Sequence, residues 1–244
     1  MDPDTERYYR LNAVDVAGRY EAVASPVARY FRLAFPEGGR VLDVGAGSGR
    51  DLAELLALGY DAWGTEPIGE MASAARAAHP QLTSRLVDAA LPALGQPFGG
   101  GFDGILCSAV LMHLPEGDLF EAASALRNAL RPNGRLLLSL PLSRGDLVAG
   151  NRSADGRLFS HWPPDRLQLL FERIGFRQVG RWDGDDALAR AGTRWYTLLL
   201  ELQASGSSQA AEPVGNSPDE YDRYNRSEIE RCAAVARQPN VPLE

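Results

Sequence analysis

Val41-Leu-Asp-Val-Gly-Ala-Gly-Ser-Gly49 joins a short apolar strand to a glycine-rich turn, and residues 50–58 beyond it show helical periodicity. Because glycine has no side chain, a ligand can lie against this backbone, where the helix N-terminus favours an anionic or strongly polar group. Arg50 stands where the dinucleotide fingerprint Gly-x-Gly-x-x-Gly has its third glycine. The spacing of Gly45, Gly47 and Gly49 therefore predicts a ligand without a pyrophosphate. The alternative is a tight turn with no ligand, although one glycine would suffice for that.

Acidic residues follow the next two predicted strands. Glu66 lies 21 residues after Gly45, at the end of the second strand, where a carboxylate can accept both hydroxyls of a ribose. Asp88 ends the third strand and precedes Ala89, a pair that can read the polar edge of an adenine. A solvated carboxylate at Glu66 and a turn cap at Asp88 are the alternatives. We expect Glu66 to lie outside the core, so that its replacement does not unfold the protein.

Strand and helix patterns alternate along most of the chain, which predicts an α/β fold with a mostly parallel sheet. No convincing helix separates the last two predicted strands, so that pair is expected to be antiparallel. Predicted helices cover 8–35, 50–58, 68–78, 116–130 and 164–174, and predicted strands cover 40–44, 60–65, 82–87, 102–107, 135–140, 176–182 and 194–202.

Composition restricts the function further. The chain has 244 residues and a net charge of -7, which disfavours nucleic-acid binding because that requires neutralising phosphates. All 25 basic residues are arginine, so a Walker-type phosphate loop and Schiff-base catalysis, which both need lysine, are excluded. Two cysteines and three histidines show no zinc-ligand spacing, so no metal site is predicted. The acidic N-terminus and the absence of a long apolar run predict a cytoplasmic protein that does not bind membranes.

In combination, these motifs resemble those of class I S-adenosylmethionine-dependent methyltransferases. The resemblance covers roughly residues 8–202, and it implies a three-layer Rossmann-like fold whose seven-stranded sheet has its last strand inserted antiparallel. It also implies S-adenosylmethionine as the cofactor and S-adenosylhomocysteine as the product. The segments that carry it are 41–51, Gly64-Thr-Glu-Pro67, Leu86-Val-Asp88, Phe102-Asp-Gly-Ile-Leu-Cys107, Val110-Leu-Met-His-Leu-Pro115 and Gly134-Arg-Leu-Leu-Leu-Ser-Leu140.

The resemblance assigns roles to individual residues. The methionine part of the cofactor would lie against Gly45, Ala46 and Gly47, the ribose against Glu66, and the adenine against Asp88 and Ala89. Cys107 would lie near the ligand at the end of the fourth strand. The predicted cofactor-binding set is therefore Gly45, Ala46, Gly47, Gly49, Glu66, Pro67, Asp88, Ala89 and Cys107.

His113 is the best candidate for a catalytic base, because it follows the fourth strand at the carboxyl edge and histidine titrates near neutral pH. A structural or cofactor-side role is the alternative that the resemblance implies. His161 is a weaker substrate-facing candidate. The irregular segment 142–157 is expected to cover the acceptor, with Arg144, Arg152 and Arg157 facing an anionic substrate or simply solvent.

The acceptor is predicted to be a small molecule. Base and glutamine N-methyltransferases usually carry an Asn/Asp-Pro-Pro-aromatic motif after the fourth strand, whereas Cys107-Ser-Ala-Val110 stands here. Two other functional classes remain open from the sequence. One is an NAD(P)-dependent oxidoreductase, which the glycine spacing disfavours, and the other is a non-catalytic module that binds S-adenosylmethionine.

The chain divides near residue 204. Residues 1–203 are predicted to form the methyltransferase domain, with an N-terminal helical lid. Residues 204–244 contain one leucine and begin with a polar stretch, so they are predicted to form a linker and a short C-terminal helix, partly flexible.

Overall fold

A computed structural model describes residues 1–204 of the chain. Apart from Ala204, the predicted linker and C-terminal helix lie outside the described residues. No helix within this part of the chain is both long enough and apolar enough to cross a membrane.

A seven-stranded sheet forms the centre of the fold. Its strands are β1 Arg40–Val44, β2 Asp61–Thr65, β3 Leu86–Val87, β4 Phe102–Ser108, β5 Leu130–Ser143, β8 Phe176–Asp185 and β9 Arg194–Leu202, while β6 Leu147–Val148 and β7 Arg152–Ser153 form a separate hairpin. The order in the large sheet is β3-β2-β1-β4-β5-β9-β8. The five strands from β3 to β5 are parallel, and β9 runs antiparallel to both of its neighbours. The predicted α/β fold class, with the last strand inserted antiparallel, is confirmed.

Helices pack around this sheet, with α1 and α2 packed on α5: α1 Pro3–Leu11, α2 Ala13–Glu21, α3 Phe31–Ala34, α4 Arg50–Ala57, α5 Gly69–Ala78, α6 Leu119–Ala129 and α7 Pro164–Arg173. Successive strand residues point to opposite faces. Thus Val41 packs in one apolar cluster with Leu52 of α4, and Leu42 packs in another with Leu126 of α6. Burial on both sides explains why the strands read as continuous apolar runs and makes the domain three layers thick.

The predicted helix over 8–35 is wrong, because the segment is divided into α1, α2 and the short α3. Asn12 leaves the helical region (φ -120°, ψ 17°), and its side-chain amide donates to the Tyr8 carbonyl at 2.8 Å, which ends α1. Pro26, which has no amide hydrogen, lies in the turn that follows α2. The break lets α1 fold back over the carboxyl edge of the sheet.

Other boundaries also differ from the pattern-based expectation, including those of α6 and β8, which were predicted over 116–130 and 176–182. The predicted third strand over 82–87 shrinks to Leu86–Val87, because Pro80–Leu82 forms a 3-10 turn that buries Leu82. The predicted irregular segment after the fifth strand contains the β6–β7 hairpin, and β5 itself extends to Ser143.

Candidate active site

A deep cavity lies at the carboxyl ends of the parallel strands, where ligands bind in open α/β sheets. Its floor is the turn after β1, and its sides come from the segments after β2, β3 and β4. Tyr9 of α1 and Tyr20 of α2 cover it from one side, and the β8–β9 hairpin covers it from another. In that hairpin, Asp186 binds the Arg190 guanidinium and accepts a hydrogen bond from Trp195 Nε1 at 2.9 Å, which fixes the indole against the cavity.

The three glycines of the turn have different roles. All three adopt left-handed backbone conformations, with φ of +73°, +57° and +81° at Gly45, Gly47 and Gly49. A Cβ on Gly45 would lie 2.6 Å from Val110 Cγ2, and one on Gly49 would lie 2.5 Å from Leu82 Cδ1, so protein packing requires both. A Cβ on Gly47 would meet nothing closer than 3.9 Å. Gly47 therefore leaves space that belongs to the cavity.

Glu66 connects this turn to the start of α5. Its Oε2 accepts a hydrogen bond from the Gly47 amide at 2.8 Å, and its Oε1 accepts one from the Ile68 amide at 2.9 Å. The residue is only 6% exposed, so the expectation that it lies outside the core is wrong. Burial raises the pKa of this carboxyl, while the two amide hydrogen bonds oppose the rise. A carboxylate has about four acceptor positions, so two remain for a ligand.

Asp43 is a cavity residue that the sequence interpretation missed. It lies in β1 and is 3% exposed, and its Oδ2 has no hydrogen-bond partner in the described part of the chain. Burial, then the charges of Asp51 and Glu66, raise the pKa of its carboxyl. A buried polar atom without a partner is costly unless a ligand supplies one. An acidic residue inside an otherwise apolar strand was the available sequence signal.

His113 and Tyr9 meet at the wall of the cavity. His113 Nδ1 lies 2.7 Å from the Leu158 carbonyl, which can only accept, so Nδ1 carries a hydrogen. Burial lowers the pKa of His113 to about 4, so at neutral pH its Nε2 is unprotonated. Tyr9 Oη, 3.1 Å away, therefore donates to Nε2. Burial raises the pKa of Tyr9, which keeps that hydroxyl protonated.

Some of the remaining predicted cofactor-binding residues line the cavity, and others lie outside its lining. Pro67 and Ala89 line the cavity with Gly45, Ala46 and Gly47. Gly49 packs against Leu82, Asp88 is exposed beyond the cavity lining, and Cys107 is buried in the apolar core.

Of the arginines and the histidine that were predicted to face the acceptor, some line the cavity and others lie outside its lining. Arg144 and Arg157 line the cavity. Arg152 instead binds both carboxylate oxygens of Asp2, with Nη2–Oδ1 at 2.7 Å and Nη1–Oδ2 at 3.0 Å. His161 is exposed and lies beside the cavity rather than in its lining.

Comparison with known families gives one decisive match. A family described as "Methyltransferase domain" matches residues 16–179, which is about two thirds of the chain and contains β1 to β5 and the glycine turn. The chain belongs to this methyltransferase family. A search of curated proteins finds no match.

Solved structures support the methyltransferase fold. A 1,6-didemethyltoxoflavin-N1-methyltransferase from Burkholderia thailandensis, crystallised with its substrate and S-adenosylhomocysteine, has a TM-score of 0.66 at 20% identity over 82% of this chain and 88% of that one. A TehB-like S-adenosylmethionine-dependent methyltransferase from Corynebacterium glutamicum has a TM-score of 0.58 at 20% identity over 83% and 100%. The glycopeptide N-methyltransferase MtfA, crystallised with S-adenosylmethionine, has a TM-score of 0.53 at 21% identity over 73% and 86%. The family match confirms the predicted methyltransferase family, and these structures share its fold.

Proposed function

We propose that this methyltransferase moves the methyl group of S-adenosylmethionine to a small-molecule acceptor bound under α1 and the β8–β9 hairpin. The proposal rests on two features at the end of β1. Gly47 leaves open space in the cavity, and Oδ2 of the buried Asp43 carboxyl group has no hydrogen-bond partner in the described residues. A turn that served packing alone would need neither.

The cavity residues fit the parts of the donor. The Gly47 backbone leaves room for the methionine chain, Asp43 offers a carboxylate to its ammonium group, and Glu66 offers its remaining acceptor positions to the ribose hydroxyls. Ala89 and Pro67 supply apolar surface beside the adenine position. Bound there, S-adenosylmethionine supplies an already activated methyl group. The protein then has to align the acceptor and exclude water.

Alignment and exclusion of water are the tasks of the residues that cover the cavity. The Tyr9 hydroxyl gives its hydrogen to His113, so its oxygen lone pairs remain to accept a hydrogen bond from an acceptor N–H or O–H group. With a pKa of about 4, His113 would take up a proton at pH 7 at a cost of about 4 kcal/mol. That cost supports a positioning role for His113, through Tyr9, over a role as the catalytic base.

A small acceptor is supported by the covered shape of the cavity. The structural neighbours include a 1,6-didemethyltoxoflavin-N1-methyltransferase and a glycopeptide N-methyltransferase. The acidic composition of the chain supports the exclusion of nucleic acid as an acceptor. We propose the cytoplasm as the compartment, on the sequence grounds given above.

Calorimetric titration with S-adenosylhomocysteine tests the proposal. Gly47→Ala should weaken binding at least tenfold, because the new methyl group occupies ligand space. Gly38→Ala is the matched control, since Gly38 also has a left-handed backbone (φ +67°) with nothing within 4 Å of its Cβ position but lies outside the cavity lining. Equal affinity in both variants, or no binding by the wild type, would refute the proposed donor site.

A further inference from the structure

Two arginines form part of the cavity wall on the acceptor side, and we call Arg144 and Arg157 the arginine pair. Each binds a nearby aspartate through Nε and Nη2: Arg144 binds Asp146, and Arg157 binds Asp155. The Arg157 guanidinium carbon also lies 4.2 Å from the ring centroid of Tyr8 and 5.7 Å from that of Tyr9. Within residues 1–204, Nη1 of Arg144 is left without a protein acceptor.

The two ion pairs are oriented, with the positive ends inward. The side chains of Arg144 and Arg157 are 3% and 11% exposed, whereas those of Asp146 and Asp155 are 42% and 35% exposed. Water screens the exposed carboxylates more strongly than the buried guanidinium groups. The part of the cavity wall that the arginine pair forms therefore carries a positive potential, even though each arginine has its counter-ion.

His113 lies close enough to the arginine pair for both charges to act on it. Burial is the main cause of its lowered pKa, but the charges of Arg157 and Arg144 both lower it further. The charge of Asp2 acts in the opposite direction and raises it, but it ranks behind both arginines as a cause. A buried positive field next to a ligand site favours an anion.

Aromatic rings accompany the arginine pair. The Arg144 guanidinium carbon lies 3.6 Å from the centroid of Phe159, and that of Arg157 lies 5.4 Å from the same ring. Phe159, Tyr9 and Trp195 line the cavity together with the arginines. Rings around a fixed cationic wall suit a flat molecule that carries an acidic group.

We infer that the methyl acceptor is a small aromatic acid whose carboxylate is bound by Arg144 and Arg157. This inference rests on the proposed function of the cavity and adds the chemical class of the acceptor. A guanidinium group matches a carboxylate geometrically and stays charged at every physiological pH. Because Nε and Nη2 of Arg144 bind Asp146, Nη1 is the donor that remains for such a carboxylate.

The test uses the full chain saturated with S-adenosylhomocysteine, titrated calorimetrically with 2-naphthoate and with 2-naphthamide. These probes share shape and aromatic surface and differ in charge. The wild type should bind the carboxylate at least tenfold more tightly than the amide. Arg144→Gln should remove that preference while leaving the affinity for S-adenosylhomocysteine within a factor of three. Arg177→Gln is the matched control and should keep the preference, because Arg177 lies on β8 with a 60% exposed side chain.

The outcomes separate the two proposals. Equal affinities for the probes, or binding of neither one to a chain that binds S-adenosylhomocysteine normally, would overturn the aromatic-acid inference and leave the donor site intact. Failure of the wild type to bind S-adenosylhomocysteine would instead refute the proposed function. If Arg144→Gln does not fold, the wild-type comparison still decides, and Arg157→Gln provides the second variant.

Discussion

The Tyr9 hydroxyl lies 3.1 Å from Nε2 of His113, although 104 residues separate them in the chain. This contact brings α1 against the turn that follows β4, and the Asp2 amide adds a second link by donating to the His113 carbonyl at 3.4 Å. The first helix thereby becomes one wall of the active site. Its attachment and its chemistry can be tested separately.

Replacing His113 should change how stability depends on pH. The pKa of His113 is lowered from 6.5 to about 4, so the unfolded chain takes up a proton between these values and the folded chain does not. The wild type should therefore lose about 2 kcal/mol of unfolding free energy between pH 6.5 and pH 5 from this group alone. Urea unfolding of the wild type and of His113→Gln at both pH values measures the difference. A variant with the same pH dependence as the wild type would contradict the proposed neutral state of His113.

Replacing Asp2 should loosen α1 without changing the sheet. Asp2 caps α1 by accepting the Thr5 amide at 3.0 Å, and it also binds Arg152. Asp2→Asn keeps the capping ability but removes the ion pair, so its unfolding free energy should be about 1 kcal/mol lower than that of the wild type. Asp2→Ala also removes the cap, so its unfolding free energy should be about 1 kcal/mol lower again. Asp4→Asn is the control, since the Asp4 side chain is 65% exposed and its Oδ2 lies 3.7 Å from Arg152.

The ion pair between Asp2 and Arg152 also predicts that α1 becomes less stable at low pH. Arg152 lowers the pKa of Asp2 from 3.8 to about 2, so the stabilisation persists above pH 4 and is lost as the pH falls from about 4 to about 2. Hydrogen exchange of the α1 amides should accelerate in that range in the wild type. In Asp2→Asn it should already be fast at pH 5, and unchanged exchange in the variant would show that other contacts hold α1.

Replacing Glu66 should affect both binding and stability. Glu66→Ala leaves the part-buried amide of Gly47 and the buried amide of Ile68 without their acceptor, which should cost about 2 kcal/mol of unfolding free energy. The lost ribose contact should weaken S-adenosylhomocysteine binding roughly tenfold to a hundredfold. Glu66→Gln retains one acceptor oxygen, so it should be more stable than Glu66→Ala while still binding weakly. Calorimetry and thermal unfolding of both variants check this, and normal affinity in Glu66→Ala would make the residue purely structural.

Local sequence patterns were sufficient to predict the main strands and helices in their order along the chain, because these depend on periodicity. They were also sufficient to predict the glycine turn, because it depends on backbone conformation. They were also sufficient to point at Glu66, which follows a strand at a fixed distance from the turn. They failed for the helix over 8–35, where a single residue, Asn12, ends α1 through its own side-chain hydrogen bond. Tyr9 and Asp43 were missed as site residues, since their roles arise from contacts and burial that only the folded chain creates.

Three of the cavity-lining arginines take their counter-ions from their own loops. Arg144 and Asp146 are two residues apart, as are Asp155 and Arg157, and Asp186 and Arg190 are four apart. A loop exchanged between homologous enzymes would therefore carry its charge balance with it and leave no orphaned carboxylate on the sheet. The acceptor side could therefore be rebuilt one loop at a time, without a compensating charge change on the donor side.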